Sequence, residues 1–387
     1  MKLSQRCSGT QDINKITKIL EDLKNHNTQI TNLSASNPTT QQLIPPQEVF
    51  DLFLSESIQN YDPDPRGLLS ARTALALFYH SEPDHFYITA STSEAYSWLF
   101  KLLGDPGDVF LVPKPGYPLF DFLASQELVQ IVPYYLEYIH PKGWFIDFDY
   151  LNRIVKTYNP RAIVLINPNN PTGSYIRPSE YEQLITLCKT NGMSIIADEV
   201  FFYHFLDAET SFCSFIDCEE VPTFTLNGLS KLLCLPQVKL GWIHVSGSKD
   251  TKLFHALDMI ADTFLSPNVF SMTALPGLLH YIPSWSKIVR QRITTNYQYA
   301  HHLCHTDTPF RIRSTQGGWS TMIEVPRILP DEELITFLLE QYYLYVQPGY
   351  FYDCKESGII IPSLILEADK FARGLSLAIE AILNFMQ

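Results

Sequence analysis

The sequence predicts an α/β protein: a three-layer α/β/α large domain with a mainly parallel sheet, plus a smaller α+β domain formed from both termini. Two observations carry that expectation. From about residue 68 onward, short apolar runs of strand length alternate with segments of helix length, the pattern of a parallel sheet covered by helices on both faces. A second alternating region starts near residue 309 and leads into an apolar C-terminal helix. The expected division is a large domain over 46–275 and a small domain built from 1–45 and 276–387.

Taken in order, residues 12–25 set Ile13, Ile16, Ile19, Leu20 and Leu23 three and four apart, which predicts an amphipathic helix. Asn37-Pro38 and Pro45-Pro46 then predict an extended arm. Strands are expected at FYITA (86–90), DVFLVP (108–113), LVQIVPYYL (128–136), RAIVLIN (161–167), MSIIADE (193–199), TFTLNG (223–228) and LGWIHVSG (240–247). Between them, 93–103 and 178–190 read as helices, the second opened by Pro178. Residues 250–300 read as helical, broken by Pro267, Pro276 and Pro283. Strand-like alternation from 309, a helix over 331–341, a strand over 342–347 and a helix over 369–386 complete the chain.

Composition narrows the function classes. The 387 residues are 45% hydrophobic, with 41 acidic against 28 basic side chains and a net charge of -13. That excludes disorder, collagen and coiled coil, and it disfavours nucleic acid or a membrane surface as partner, since no basic patch stands out. No apolar run approaches the ~20 residues that span a bilayer, and the polar N-terminus lacks the apolar stretch of a secretory signal. Seven scattered cysteines without a CxxC pair or histidines at zinc spacing imply reduced thiols, a cytoplasmic protein and no metal site.

Ligands of open parallel sheets sit beyond the carboxyl ends of the strands, so the polar residues there are the candidates. FYITA is followed by Ser91-Thr92-Ser93-Glu94, hydroxyls at a helix start that suit either an anion or a plain N-cap. DVFLVP leads into Lys114-Pro-Gly-Tyr117, a turn presenting one aromatic ring, for which core packing is an equal explanation. RAIVLIN leads into Pro168-Asn-Asn170-Pro-Thr-Gly173. MSIIA ends on Asp198-Glu199, carboxylates whose burial requires partners. TFTLNG leads into Leu229-Ser230-Lys231, an amine whose pKa apolar surroundings lower, with a second cation at Lys239.

In this order the chain resembles the fold type I, pyridoxal-phosphate-dependent aminotransferases of classes I and II, from about Asn37 to the C-terminus. The specific pieces are Asn167-Pro-Asn-Asn-Pro-Thr-Gly173, Asp198-Glu-Val200, and Ser230-Lys231 with a cation eight residues later. The resemblance implies pyridoxal 5'-phosphate (PLP) held as a Schiff base on Lys231, which also serves as general acid/base. It implies that Asp198 pairs with the ring nitrogen, Asn170 donates to the phenolic oxygen and Tyr117 stacks on the ring. It assigns the phosphate to Thr92, Ser93, Ser230 and Lys239, with Tyr61 lent by the neighbouring subunit of a homodimer with shared active sites. Asn37, Arg66 and Trp319 are the implied substrate-binding residues. The implied reaction moves an amino group between an amino acid and a 2-oxo acid. Another PLP enzyme of this fold, a lyase, cyclase or oxidase, is the alternative, and a catalytically idle ligand-binding relative is the third.

Four positions depart from the family pattern. Lys239 stands for a phosphate-binding arginine, Gly228 for a serine, and Phe201 for a tyrosine that donates to the phenolic oxygen, with Tyr203 a possible substitute. Ile361 occupies the place of the arginine that grips the substrate carboxylate, unless Arg373 is the true match. With Ile361 in that place, either another cation binds the carboxylate, Arg66 by preference or else Arg311 or Arg313, or the substrate's carboxylate is differently placed or absent. Amino donor, acceptor and pathway are not legible in the sequence.

Overall fold

The computed structural model describes residues 4, 6, 13–54, 63–207, 212–305 and 307–386. The N-terminal helix α1 (Lys15–Asn25) starts where the Asn14 side chain accepts the Thr17 N–H at 2.7 Å. A short strand, β1 (Thr31–Asn32), follows. The expected extended arm is instead a 3-10 turn over Pro38–Gln41 and a short helix, α2 (Gln47–Asp51), before α3 (Leu69–Tyr79). Proline at the first position of a helical turn loses no hydrogen bond, so Pro38 starts such a turn as readily as it extends the chain.

The large sheet contains β2 (Phe86–Thr89), β3 (Val109–Lys114), β4 (Gln130–Ile139), β5 (Gly143–Ile146), β6 (Ala162–Ile166), β7 (Ser194–Asp198), β8 (Thr223–Gly228) and β9 (Gly241–Ser246). The helices between them are α4 (Thr92–Leu103), α5 (Phe120–Glu127), α6 (Phe148–Tyr158), α7 (Pro178–Asn191) and the single turn α8 (Leu229–Leu232). The strand order is β2-β9-β8-β7-β6-β3-β4-β5, with β8, β7, β6, β3 and β4 parallel and with β5 and β9 antiparallel to their neighbours.

Alternate residues of one strand feed opposite faces, as the pleat dictates. Leu111, Ile163, Leu165, Ile195 and Ala197 pack with α6 and α7, whereas Phe110, Val112, Val164, Ile166 and Ile196 pack with α4 and α5. Both faces are therefore apolar, which is why these strands read as unbroken hydrophobic runs.

Three helices follow: α9 (Thr251–Phe264), α10 (Val269–Leu279) and α11 (Ile282–Leu303). Pro267 separates the first two and Pro283 lies in the first turn of the third, but Pro276 lies inside α10 without ending it. Its buried face, Met272, Leu275 and Leu278, packs on α3 and holds the helix through the missing hydrogen bond. The remaining elements are β10 (Arg311–Ile312), β11 (Ile323–Glu324), α12 (Asp331–Tyr342), β12 (Leu344–Tyr345), β13 (Gln347–Pro348), β14 (Ile359–Ile361) and α13 (Ala368–Phe385). They form an antiparallel sheet of order β10-β11-β14-β13, while β12 pairs in parallel with β1.

The alternating run from 309 is strand only at its ends. Its middle leaves the ladder to reach the large sheet, where Gln316 and Gly317 N–H groups both donate to the Gly173 carbonyl at 3.0 Å. Among the described residues no helix is long and apolar enough to cross a membrane.

Candidate active site

The carboxyl ends of β2, β3, β6, β7 and β8 lie at one end of the sheet, and antiparallel β9 starts there too, with Gly228 opposite Gly241. That end brings five of the loops singled out above to one place.

Asp198 closes β7 on the face shared with Ile196, so its side chain turns toward α4, where the Tyr96 hydroxyl donates to Oδ2 at 2.9 Å. The Val200 N–H reaches Oδ1 at 3.2 Å. Burial pushes the Asp198 pKa up to about 6, against which these two donors and the charge of Lys231 pull it down. Glu199, one residue on, turns to the other face. It accepts from Ser214 Oγ at 2.6 Å and Phe215 N–H at 2.8 Å, and burial raises it to about 7. The strand's twofold repeat thus divides the pair: Asp198 faces α4 and Glu199 ties down the chain at 214–215.

Lys231 sits in the turn after β8 with its Nζ 4.8 Å from the centroid of Trp319 and 5.7 Å from that of Phe201. Burial lowers its pKa, opposed by Cys234 and Asp198. Trp319 is 3% exposed and lies nearly parallel to the ring of His204, centroids 5.6 Å apart. His204, fully buried without a hydrogen-bond partner for either ring nitrogen among the described residues, is driven down to about 3 by burial and by the charges of Arg290 and Lys231, so it is neutral. Tyr117 is half-buried with its hydroxyl toward Ser93, and burial and the nearby Asp198 raise its pKa.

At the start of α4 the cap is supplied by Ser91, which accepts the Glu94 N–H at 3.3 Å, while Glu94 accepts the Ala90 N–H at 2.6 Å. This leaves the Thr92 hydroxyl unengaged, and Ser230 and exposed Lys239 likewise make no side-chain hydrogen bond or ion pair among the described residues. A Cβ on Gly241 would lie 3.2 Å from Ser91 C and Thr92 N, so glycine keeps β9 close beneath this turn. Asn170 is half-buried with its amide unengaged, whereas Asn169 donates to the Pro115 carbonyl and Asn167 to that of Cys213, holding the 167–173 loop against its neighbours. The structure therefore brings Lys231, Asp198 and Trp319 together, with Tyr117 beside Ser93.

Other expected residues lie elsewhere. Arg66 is a correction: its Nε and NH2 donate to the two Asp258 oxygens at 2.6 and 2.7 Å and NH1 to the Asp84 carbonyl, a bidentate pair 192 residues apart in sequence that leaves no fork for a ligand. Asn37 is exposed and caps its own 3-10 turn, accepting from Thr39 N–H and Oγ1. Arg311 and Arg313 both pair with Glu324. Tyr203 packs on Phe78 and faces Glu199. Ile361 is 1% exposed in β14, opposite Gln347, and Arg373 is exposed on α13. Tyr61 lies outside the described residues. Replacing Arg66 with methionine is expected to cost about 2 kcal/mol of stability, read as a lower denaturant midpoint, while leaving ligand affinity unchanged.

The sequence matches the family described as "Aminotransferase class I and II" over residues 28–363. The chain belongs to that family. It is 30% identical to a probable aminotransferase of Arabidopsis thaliana over 60% of this chain and 58% of that protein. It is equally similar to a glutamate-pyruvate aminotransferase of Haemophilus influenzae, over 64% of this chain and 63% of that one. The matched stretches thus span under two thirds of these relatives' own lengths. An aminotransferase structure from Escherichia coli superposes with a TM-score of 0.88, at 22% identity, over all of this chain and 98% of the other. Alanine aminotransferase from Pyrococcus furiosus gives 0.87, also at 22%, over 100% and 99%. The aminotransferase fold accounts for the mainly parallel sheet and the small antiparallel one. Sequence reasoning missed Tyr96 and the anchoring role of Glu199. For Tyr96 the signal was a hydroxyl on an otherwise apolar face of α4, beside Ala95, Leu99 and Phe100.

Proposed function

We propose that this aminotransferase-family protein uses PLP to move an amino group between an amino acid and a 2-oxo acid. The supporting observation is the meeting of a desolvated lysine amine and a buried carboxylate at one end of the sheet. The residues fit the cofactor. Asp198 is a buried anion whose two hydrogen-bond donors are both neutral, which suits a protonated ring nitrogen. The unengaged Thr92, Ser230 and Lys239, with Ser93 at the start of α4, suit a phosphate. Tyr117 would stack on the ring and Asn170 would donate to the phenolic oxygen.

When bound, PLP supplies an electron sink for the carbon that bears the amino group. Lys231 would hold the cofactor through Nζ, and the burial that lowers its pKa favours the neutral amine, which can take up a proton and return it. Trp319 and Phe201 exclude water around Nζ. Asp198 would favour a proton on the ring nitrogen by Coulomb attraction in a low-dielectric site. The substrate carboxylate is received without a guanidinium at Ile361 and without Arg66.

Homodimerisation with shared sites belongs to the proposal, with Tyr61 contributed across the interface. It is supported by the exposed apolar side chains Leu69, Leu77, Met259, Phe264 and Phe270 on α3, α9 and α10. The cytoplasm is the proposed location, consistent with six unpaired cysteines among the described residues. The deciding experiment incubates PLP-loaded protein with a panel of amino acids and a 2-oxo acid. Equal amounts of new amino acid and new oxo acid are expected; ammonia or a cyclised product in their place overturns the assignment.

A further inference from the structure

Tyr96 makes the most specific polar contact to the catalytic carboxylate, yet packing alone does not require its hydroxyl. The residue lies on the sheet-facing side of α4, 1% exposed, edge-on to Phe120 with centroids 5.3 Å apart. A phenylalanine would fill that space equally. Its hydroxyl is 2.9 Å from Asp198 Oδ2, and burial raises its own pKa far out of the physiological range, so it is always a neutral donor. Phe120 in turn packs edge-on against Tyr117 at 5.6 Å, so one phenyl ring supports both the tyrosine above the cleft and the tyrosine beneath Asp198.

The chemistry favours a neutral donor at this place. A lysine or arginine would neutralise Asp198 and compete with a protonated ring nitrogen for it, whereas an O–H stabilises the anion and leaves its charge intact. With Val200 N–H on Oδ1 and Tyr96 O–H on Oδ2, both carboxylate oxygens are fixed and the side chain has one rotamer to present. We propose that Tyr96 is a positioning residue that aims the Asp198 carboxylate at the ring nitrogen of PLP and stabilises its negative charge. This rests on the functional reading above, in which Asp198 holds that nitrogen.

The test is Tyr96→Phe in the full chain, with PLP affinity of the apoprotein measured by fluorescence titration from pH 5 to 9. Circular dichroism should show an unchanged fold. Affinity at pH 7 is expected to fall roughly ten- to hundredfold, the loss of one hydrogen bond to a charged group. Its acid limb should move to higher pH, because Asp198 without its donor holds a proton longer. A second reading uses apoprotein stability alone. The folded-state pKa of Asp198 lies above its ordinary value, so stability falls as pH rises from that value to the folded one. In Tyr96→Phe that fall should extend further upward. Affinity unchanged, or reduced by one factor at every pH, overturns the proposal. Wild-type protein that binds no PLP, or whose affinity Asp198→Asn leaves intact, overturns the functional reading itself and is distinguishable from the first result.

Discussion

Lys231→Ala is expected to reduce turnover by about 10³-fold or more, the range spanned by loss of a positioned proton-transfer group, and to abolish the absorption that PLP acquires on joining the protein. The amine lies over Trp319 and beside Phe201, where Cys234 and Asp198 oppose the lowering of its pKa by burial. Among the described residues, Lys239 is exposed and Lys114 is tied to Asp353 and Asp121, so neither is placed to replace it. Stability should change little, since the packing lost over Trp319 is offset by removing an amine from apolar surroundings. Lys231→Arg separates charge from chemistry. It keeps a cation at the site but offers no free amine near neutral pH, so it too should be inactive. Retained turnover in either variant would refute the assignment.

Asp198→Asn should move function and stability in opposite directions. Removing the anion would leave a protonated ring nitrogen without a counter-charge, at a cost of about 3–5 kcal/mol, or roughly 10²–10⁴-fold in PLP affinity. The apoprotein should become more stable above pH 6. At those pH values wild-type Asp198 is ionised despite its burial, with Tyr96, Val200 and Lys231 to support it. Asparagine fits the same space and has no charge to desolvate; its Oδ1 can accept the Val200 N–H while its Nδ2 donates to the Tyr96 oxygen. The pH-dependent fall in apoprotein stability between about 4 and 6 should shrink, with the Glu199 contribution left in place up to about 7. Thermal melts of apoprotein across pH 4–8 read this directly; a variant less stable than wild type at pH 8 would contradict the account.

What was legible in the sequence follows from which interactions are local. The central strands announce themselves because both faces are buried, and the strand-end motifs because chain direction places them at one end. Arg66 was misplaced for the opposite reason: its partner Asp258 comes from α9, and nothing near residue 66 signals that pairing. Asn37 satisfied a local cap, which competes with any ligand for the same oxygen. The split of 342–347 into β12 and β13 depends on β1 and β14, both distant in sequence. Tyr96 was hidden because a tyrosine on the buried face of a helix looks like any other core aromatic.

The reversal of direction between β8 and β9 has a consequence for adaptability. Because β9 returns antiparallel from Gly241, the segment 229–240 is a closed excursion from the sheet, sealed by the Leu229 N–H donating to the Leu240 carbonyl at 2.9 Å. Lys231 lies on its outgoing arm and Lys239 on its returning one. Lengthening the excursion around Pro236 would change the spacing of the two ammonium groups without breaking any rung of the β8–β9 ladder. The distance between the two lysines is thus a parameter that sequence drift can tune independently of the architecture.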